Sequence, residues 1–206
     1  MKELILASES PRRKEILDSL GVLFCISPSN FDESSINETD PVKKCILTAR
    51  GKAESLFKSL PQNDGAEPQK LILAADTLIF TEDTTIPNAK IIFGKPKNEC
   101  EAQMMLKSHS GRAHFVVSAI CLLDCETGLI SEKQNISEVF FKPLSDKEIS
   151  AYLKTEEWKD AAGGYKIQGK GSFFIDKIEG SYTGIVGLPV RELYELLSEK
   201  SFINLF

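Results

Sequence analysis

Leu4-Ile5-Leu6-Ala7-Ser8-Glu9-Ser10-Pro11-Arg12-Arg13 carries the strongest local signals in the chain. Residues 4–7 form a short, unbroken apolar run, as in a strand buried on both faces. Ser10 suits an N-cap, Pro11 suits the first helical position, and Gly21 stands just past the expected helix end. Ile16, Leu17 and Leu20 provide an apolar stripe at helical spacing. A strand, a tight turn and a helix in immediate succession predict an α/β protein.

The rest of the chain continues in that manner. Asp40-Pro41 opens a second helix to about Ser59, with Ile46, Leu47, Ala49, Ala53 and Leu56 on its inner side. Residues 61–70 are polar with glycine and proline, which predicts a surface loop. Leu71 to Ala75 reads as an apolar strand that ends at Asp76. Thr81 to Ala89, with Pro87, predicts a loop or irregular hairpin. Asn98-x-x-Glu101 has capping-box form and starts a helix ending near Gly111, and Ser145-x-x-Glu148 caps another through about Lys154. Ala113 to Leu123 and Leu129 to Phe141 flank a turn at residues 125–128 and predict a long hairpin. A glycine-rich segment from Gly163 to Gly171, a strand from Phe173 to Ile178, a loop from Gly180 to Gly187 and a helix opened by Pro189 complete the order. No repeat, low-complexity tract or linker divides the chain, so one α/β domain over residues 1–206 is expected.

Of the 206 residues, 42% are hydrophobic and 27% charged, an ordinary globular mixture able to bury a core. Twenty-five Lys and Arg against thirty Asp and Glu leave a net charge of −5. Non-specific nucleic-acid binding needs an extended basic face, so no nucleic-acid partner is expected. Positive charge for an anionic ligand must instead be gathered locally. No apolar run approaches the roughly 18 residues that span a bilayer, and residues 4–7 are too short for a signal peptide. The expectation is a cytoplasmic protein without a membrane partner. Cys25, Cys45, Cys100, Cys121 and Cys125 are odd in number and lack C-x-x-C spacing. They predict small buried hydrophobes in a reducing compartment, with Cys121 and Cys125 both facing the core. His109 and His114 fit no metal-ligand spacing and read as ordinary surface or strand residues.

Four constellations carry chemistry. Arg12 and Arg13 fall in the first turn of a helix, where cations are unfavourable by ~0.3–1 kcal/mol each, and an anion would offset them. With Ser8 and free amides they suit a phosphate chain; the alternative is that they face water or pair with Glu9. Asp76-Thr77 places a carboxylate at a strand end, able to hold a divalent metal or accept a proton, or simply to form a turn. In Phe93-Gly94-Lys95-Pro96 the proline keeps Lys95 extended, which aims its ammonium at a ligand or leaves it solvated. In the segment from Ala161 to Gly169, Gln168 offers an amide for a base edge, or the glycines allow a tight backbone crossing. P-loop, Rossmann and G-x-S-x-G signatures are absent.

Taken together, these segments resemble the Maf family of nucleotide pyrophosphatases. The resemblance runs in order through residues 4–13, Asp32-Glu33-Ser34, Ala75-Asp76-Thr77, Gly94-Lys95-Pro96, Ser110-Gly111-Arg112, Ile167-Gln168-Gly169, Ile178-Glu179-Gly180-Ser181-Tyr182 and Val186-Gly187-Leu188-Pro189. It implies an α/β fold, a mixed sheet with flanking helices in two lobes around a cleft, similar to inosine triphosphate pyrophosphatases. It also implies release of pyrophosphate from a nucleoside triphosphate with a divalent metal, Mg²⁺ or Mn²⁺. Asp76 matches the proton acceptor. Arg12, Thr77 and Gln168 match positions that separate the dTTP/UTP branch from a 7-methyl-GTP branch, and all three agree with dTTP and UTP. Three departures stand out: Gly51 precedes Lys52 where many relatives have glutamate, Ser118 replaces a usual threonine, and a polar insert around Thr81 to Ala89 would reshape the rim of the cleft.

The mechanism so implied has Ser8, Arg12, Arg13, Lys52 and Lys95 binding the triphosphate, Thr77 and Gln168 completing the substrate site, and Glu33 with Asp76 holding the metal. Water activated at Asp76 attacks the α-phosphorus. A homodimer is the assembly the resemblance suggests. The rival reading is a nucleotide-binding regulator of cell division that does not hydrolyse its ligand, which pyrophosphate release would exclude.

Overall fold

Leu4, Ile5 and Leu6 are buried, as a strand between two neighbours must be. In the computed structural model, which describes residues 2–61, 69–83, 85–86 and 89–202, these residues form β1 (Glu3–Leu6). The chain continues through α1 (Pro11–Ser19), β2 (Cys25–Ile26), α2 (Pro41–Ser59), β3 (Lys70–Glu82), β4 (Lys90–Phe93) and α3 (Glu99–His109). Then follow β5 (Ala113–Asp124), β6 (Ile130–Phe141), α4 (Asp146–Leu153), β7 (Ile175–Glu179), α5 (Tyr182–Val186) and α6 (Val190–Glu199). The strands are hydrogen-bonded in the order β2-β1-β3-β5-β6-β7, with β4 on β3. β1 runs parallel to β2 and β3, whereas β4 opposes β3 and β7 opposes β6, so the sheet is mixed and the α/β class holds. No helix among the described residues is long and apolar enough to cross a membrane.

Two compact units divide the chain, one of residues 1–77, 118–135 and 187–206, the other of residues 78–117 and 136–186. In the first, parallel register sets Leu4 beside Leu71 and Leu6 beside Leu73. These four pack with Leu17 of α1, Ile120 and Leu122 of β5 and Leu193, Leu196 and Leu197 of α6. Each such side chain contributes roughly 1.5–3 kcal/mol on burial. The helix starts are fixed locally. Asp40 accepts from the amides of Val42 and Lys43 at α2, and Gly21, at φ +66°, ends α1 in the left-handed conformation glycine tolerates. Arg50 fastens α2 to β6 by two bonds to Glu132, at 2.8 and 2.6 Å.

The second unit is built on rings. Phe93, His109, His114, Phe141 and Tyr165 pack mostly edge to face, with centroids 4.3–6.1 Å apart. Asn98 caps α3 through the Glu101 amide, and Ser145 with Glu148 forms a full capping box on α4.

Several expectations change. β3 does not end at Asp76, because Ile79, Phe80, Thr81 and Glu82 pair with β4 and carry it on to Glu82. Thr81 and Glu82 thus belong to the first strand of a β3–β4 hairpin, the hairpin alternative of the expectation for residues 81–89; residues 84, 87 and 88 lie outside the described residues, as do residues 62–68 of the expected 61–70 loop. The last strand starts at Ile175, since Lys170–Phe174 is a 3₁₀ turn, and the 180–187 loop contains the short helix α5. Leu20 and Leu47 are exposed: Leu20 is the C-cap, past the end of α1, and Leu47 is one position off the buried stripe of α2. His114 is a strand residue of β5, as one alternative had it, and His109 ends α3, but both are buried, at 0% and 1% exposed, so neither is a surface residue. Cys45 and Cys121 are buried as expected, but Cys25 and Cys100 are exposed and Cys125 lies past the end of β5, half-buried.

Candidate functional site

β1 stops at Leu6, whose partner on β3 is Leu73, while β3 runs on. Asp76 lies three residues farther along β3, beyond the C-terminal end of β1 but in the middle of β3 itself, not at the strand end that was expected. There the carboxylate is only 6% exposed. Lys52, from the middle of α2, meets it: Nζ donates to Oδ1 at 2.8 Å. The same ammonium lies 2.9 Å from Oε1 of Glu33, which a 3₁₀ turn, Glu33–Ser35, carries in from the chain before α2. Asp32 caps this turn, accepting from the amide and hydroxyl of Ser34. Two carboxylates thus converge on one cation, whose charge offsets part of their mutual repulsion.

The two arginines part ways. Arg13 is 9% exposed, and its Nε donates to the Gly187 carbonyl at 2.9 Å. One terminal nitrogen donates to Ser8 Oγ at 2.9 Å, and the other lies 3.5 Å from Thr77 Oγ1. Thr77 in turn pairs with the buried Ser118 hydroxyl at 2.7 Å. Burial lowers the Arg13 guanidinium from its ordinary value, and the charge of Asp76 opposes that shift. Arg13 therefore organises Ser8, Thr77 and the 187 turn from within. The two arginines expected to bind a phosphate chain thus stand in different surroundings. Arg12, by contrast, is half-buried and makes no hydrogen bond or ion pair with the described residues.

The head of α1 is also open. Ser10 occupies the N-cap but makes no capping hydrogen bond through its side chain, and no acid stands in the first turn. Its own amide bonds Ser8 Oγ at 3.2 Å. Cys45, buried on α2, has its thiol pushed up by burial first and the Asp76 charge second, which keeps it a neutral thiol.

Lys95 and Gln168 belong to the second unit, and the first unit gathers all the other candidates. Lys95 follows Gly94, whose carbonyl accepts from the Gly163 amide at 3.0 Å. That bond ties its turn to the glycine segment leading to Gln168. Gly163, at φ +70°, leaves little room for a side chain, since a Cβ there would stand 2.8 Å from Ile79. Lys95 is 66% exposed, with Asp160 at 3.9 Å, and Gln168 is exposed.

Phe31 was not singled out in the sequence. A Cβ placed on Gly51 would lie 2.3 Å from its ring. The signal was a glycine near the middle of a nineteen-residue helix, where it costs about 1 kcal/mol relative to alanine.

Among the described residues no three His, Cys, Asp or Glu side chains gather to hold a metal. The donors that do converge, Asp76 Oδ1 and Glu33 Oε1, are hard carboxylate oxygens aimed at one point now taken by the Lys52 ammonium. That donor set fits Mg²⁺ or Mn²⁺, which take few protein oxygens and complete their shells with water and phosphate.

The comparisons agree on one family. The Maf-like protein model matches residues 3–200. A dTTP/UTP pyrophosphatase of Treponema denticola is 80% identical over 202 residues, covering 98% of each chain. Proteins of the same name from Caldicellulosiruptor saccharolyticus and Pyrococcus furiosus are 40% and 41% identical, covering 98% and 96% of this chain and 96% and 95% of theirs. The chain belongs to the Maf-like protein family.

Proposed function

We propose that this protein hydrolyses dTTP and UTP to the monophosphates and pyrophosphate. The observation that carries the reading is the convergence of Asp76 and Glu33 on Lys52. The relatives' shared name supports the choice of pyrimidine nucleotides, as does the agreement of Arg12, Thr77 and Gln168 with that branch.

In this reading the uncapped head of α1 and the unpaired Arg12 receive phosphate oxygens, which is the service a helix N-terminus offers an anion. Ser8 and Thr77 are held for the same task by Arg13. Lys52 exchanges a carboxylate for a phosphate oxygen when substrate arrives, and Lys95 adds a cation from its turn. Asp76 orients the attacking water and accepts its proton as the oxygen bonds to the α-phosphorus. The α–β bridging P–O bond breaks, and pyrophosphate leaves with the electron pair. Asp76 and Glu33 would hold a divalent cation, which supplies neutralisation of the charge on the triphosphate. Gln168 reads the edge of the pyrimidine through its amide.

The test is pyrophosphate release from UTP, dTTP, CTP, GTP and 7-methyl-GTP, each with Mg²⁺ and with Mn²⁺. UTP and dTTP are expected to give the highest kcat/KM. A purine optimum would overturn the substrate assignment, and release from none would leave a nucleotide-binding regulator.

A further inference from the structure

We infer that Phe31 is a positioning residue which, by seating its ring on Gly51, sets where Glu33 stands against Lys52 and Asp76. The inference rests on the proposed role of Glu33 in the pyrophosphatase site.

The contact is end-on. A Cβ built on Gly51 would lie 2.3 Å from Phe31 Cζ, 2.5 Å from Cε2 and 2.8 Å from Cε1. Anything larger than glycine must displace the ring. The ring belongs to the residue two positions before Glu33, and the glycine immediately precedes Lys52. This apolar contact therefore joins the Glu33 turn to α2 beside the Glu33–Lys52 ion pair. That pair alone holds poorly, because the Glu33 side chain is 60% exposed and screened by water. The bonds from Ser34 and Ser35 to Asp32 are internal to the turn and stiffen it without fixing it to the helix. The Phe31 ring supplies that attachment, and the glycine in mid-helix is the space it needs.

The experiment is a double-mutant cycle on the full chain: Phe31→Ala, Glu33→Gln, both together, and Gly51→Ala as an independent route to the same displacement. Pyrophosphate release from UTP with Mg²⁺ and thermal unfolding are read for each. Expected results are a loss in kcat/KM of roughly tenfold for Phe31→Ala in the parent, but less than about twofold in the Glu33→Gln background, because the ring acts through that carboxylate. Gly51→Ala should reproduce the loss with an unfolding temperature no lower than the parent's, since alanine is the better helix former. Equal losses from Phe31→Ala in the two backgrounds, or parent-like activity in Gly51→Ala, would overturn the inference. Parent-like activity in Glu33→Gln alone would instead bring down the role of Glu33, and this inference with it.

Discussion

Lys52 Nζ stands 2.8 Å from Asp76 Oδ1, with 12% and 9% of the two side chains exposed. The partners are not equivalent, because Lys52 also holds Glu33 whereas Lys52 is the cation that Asp76 pairs with. Lys52→Met leaves a nearly buried carboxylate without its counter-charge and is expected to lower unfolding free energy by on the order of 3 kcal/mol. Asp76→Asn keeps an acceptor for Lys52 and leaves it Glu33, so stability should stay within about 1 kcal/mol of the parent. Both variants are expected to lose turnover, and Asp76→Asn should retain triphosphate binding. Urea unfolding with a pyrophosphate assay separates the two; near-normal turnover in Asp76→Asn would remove it as proton acceptor.

Arg12 and Arg13 should fail differently. Arg13→Lys cannot reproduce three donors spread over Gly187, Ser8 and Thr77, and leaving the buried Gly187 carbonyl unpaired costs roughly 1–3 kcal/mol. A lower melting temperature and lower kcat are expected together. Arg12→Ala breaks no side-chain hydrogen bond or ion pair with the described residues, so its melting temperature should barely move while KM for UTP rises roughly tenfold. The reverse pattern in melts and kinetics would exchange the two roles.

Metal withdrawal separates folding from turnover. Glu33 and Asp76 already share the Lys52 ammonium, so the metal-free protein does not confront two uncompensated carboxylates. A chelator is therefore expected to abolish pyrophosphate release while leaving the melting temperature within about 2 °C, unlike a structural metal site, whose loss unfolds the chain. A large drop in melting temperature would point to a metal that holds the fold.

What was legible in the sequence was what short range decides. Ser10, Pro11 and Gly21 place α1 within a residue, as Asp40, Asn98 and Ser145 place the later helices, because caps and turns act over three or four positions. The end of β3 was misread for the same reason. Asp76 is a local breaker, but the pairing of Ile79 with Phe93 outweighs it. No short-range pattern separates Arg13 from Arg12, since the acceptor that draws Arg13 inward is the carbonyl of Gly187, 174 residues away. The burial of the histidines was not legible because their neighbours come from separate segments. The Phe31–Gly51 contact left only an unexplained helical glycine.

Those histidines give the molecule a pH dependence of definite sign. Burial pushes His109 down to about 4 and His114 down to about 2, the latter helped by the neighbouring His109. The titratable groups packed with them are each other and Tyr165, whose hydroxyl meets His114 Nε2 at 2.8 Å, while His109 Nε2 donates to the Gly163 carbonyl at 3.1 Å. Released from the fold, each imidazole titrates near 6.5. Below that value the unfolded chain binds protons the folded chain refuses, so the stability present at pH 7 falls as pH drops through 6.5 toward 4. Only two histidines occur in the chain, and the carboxylates held low, Asp32, Glu38, Asp83, Asp124, Glu148 and Glu195, lose their contributions only as pH falls through the ordinary carboxylate range, below about 5. The interval from pH 7 to 5 therefore reports mainly on this pair. The urea midpoint of the parent is expected to fall across that interval. His109→Gln, which keeps a donor for Gly163, should reduce the fall, and adding His114→Phe should nearly flatten it. A parent midpoint already constant between pH 7 and 5 would mean that the imidazoles are not held neutral in the core.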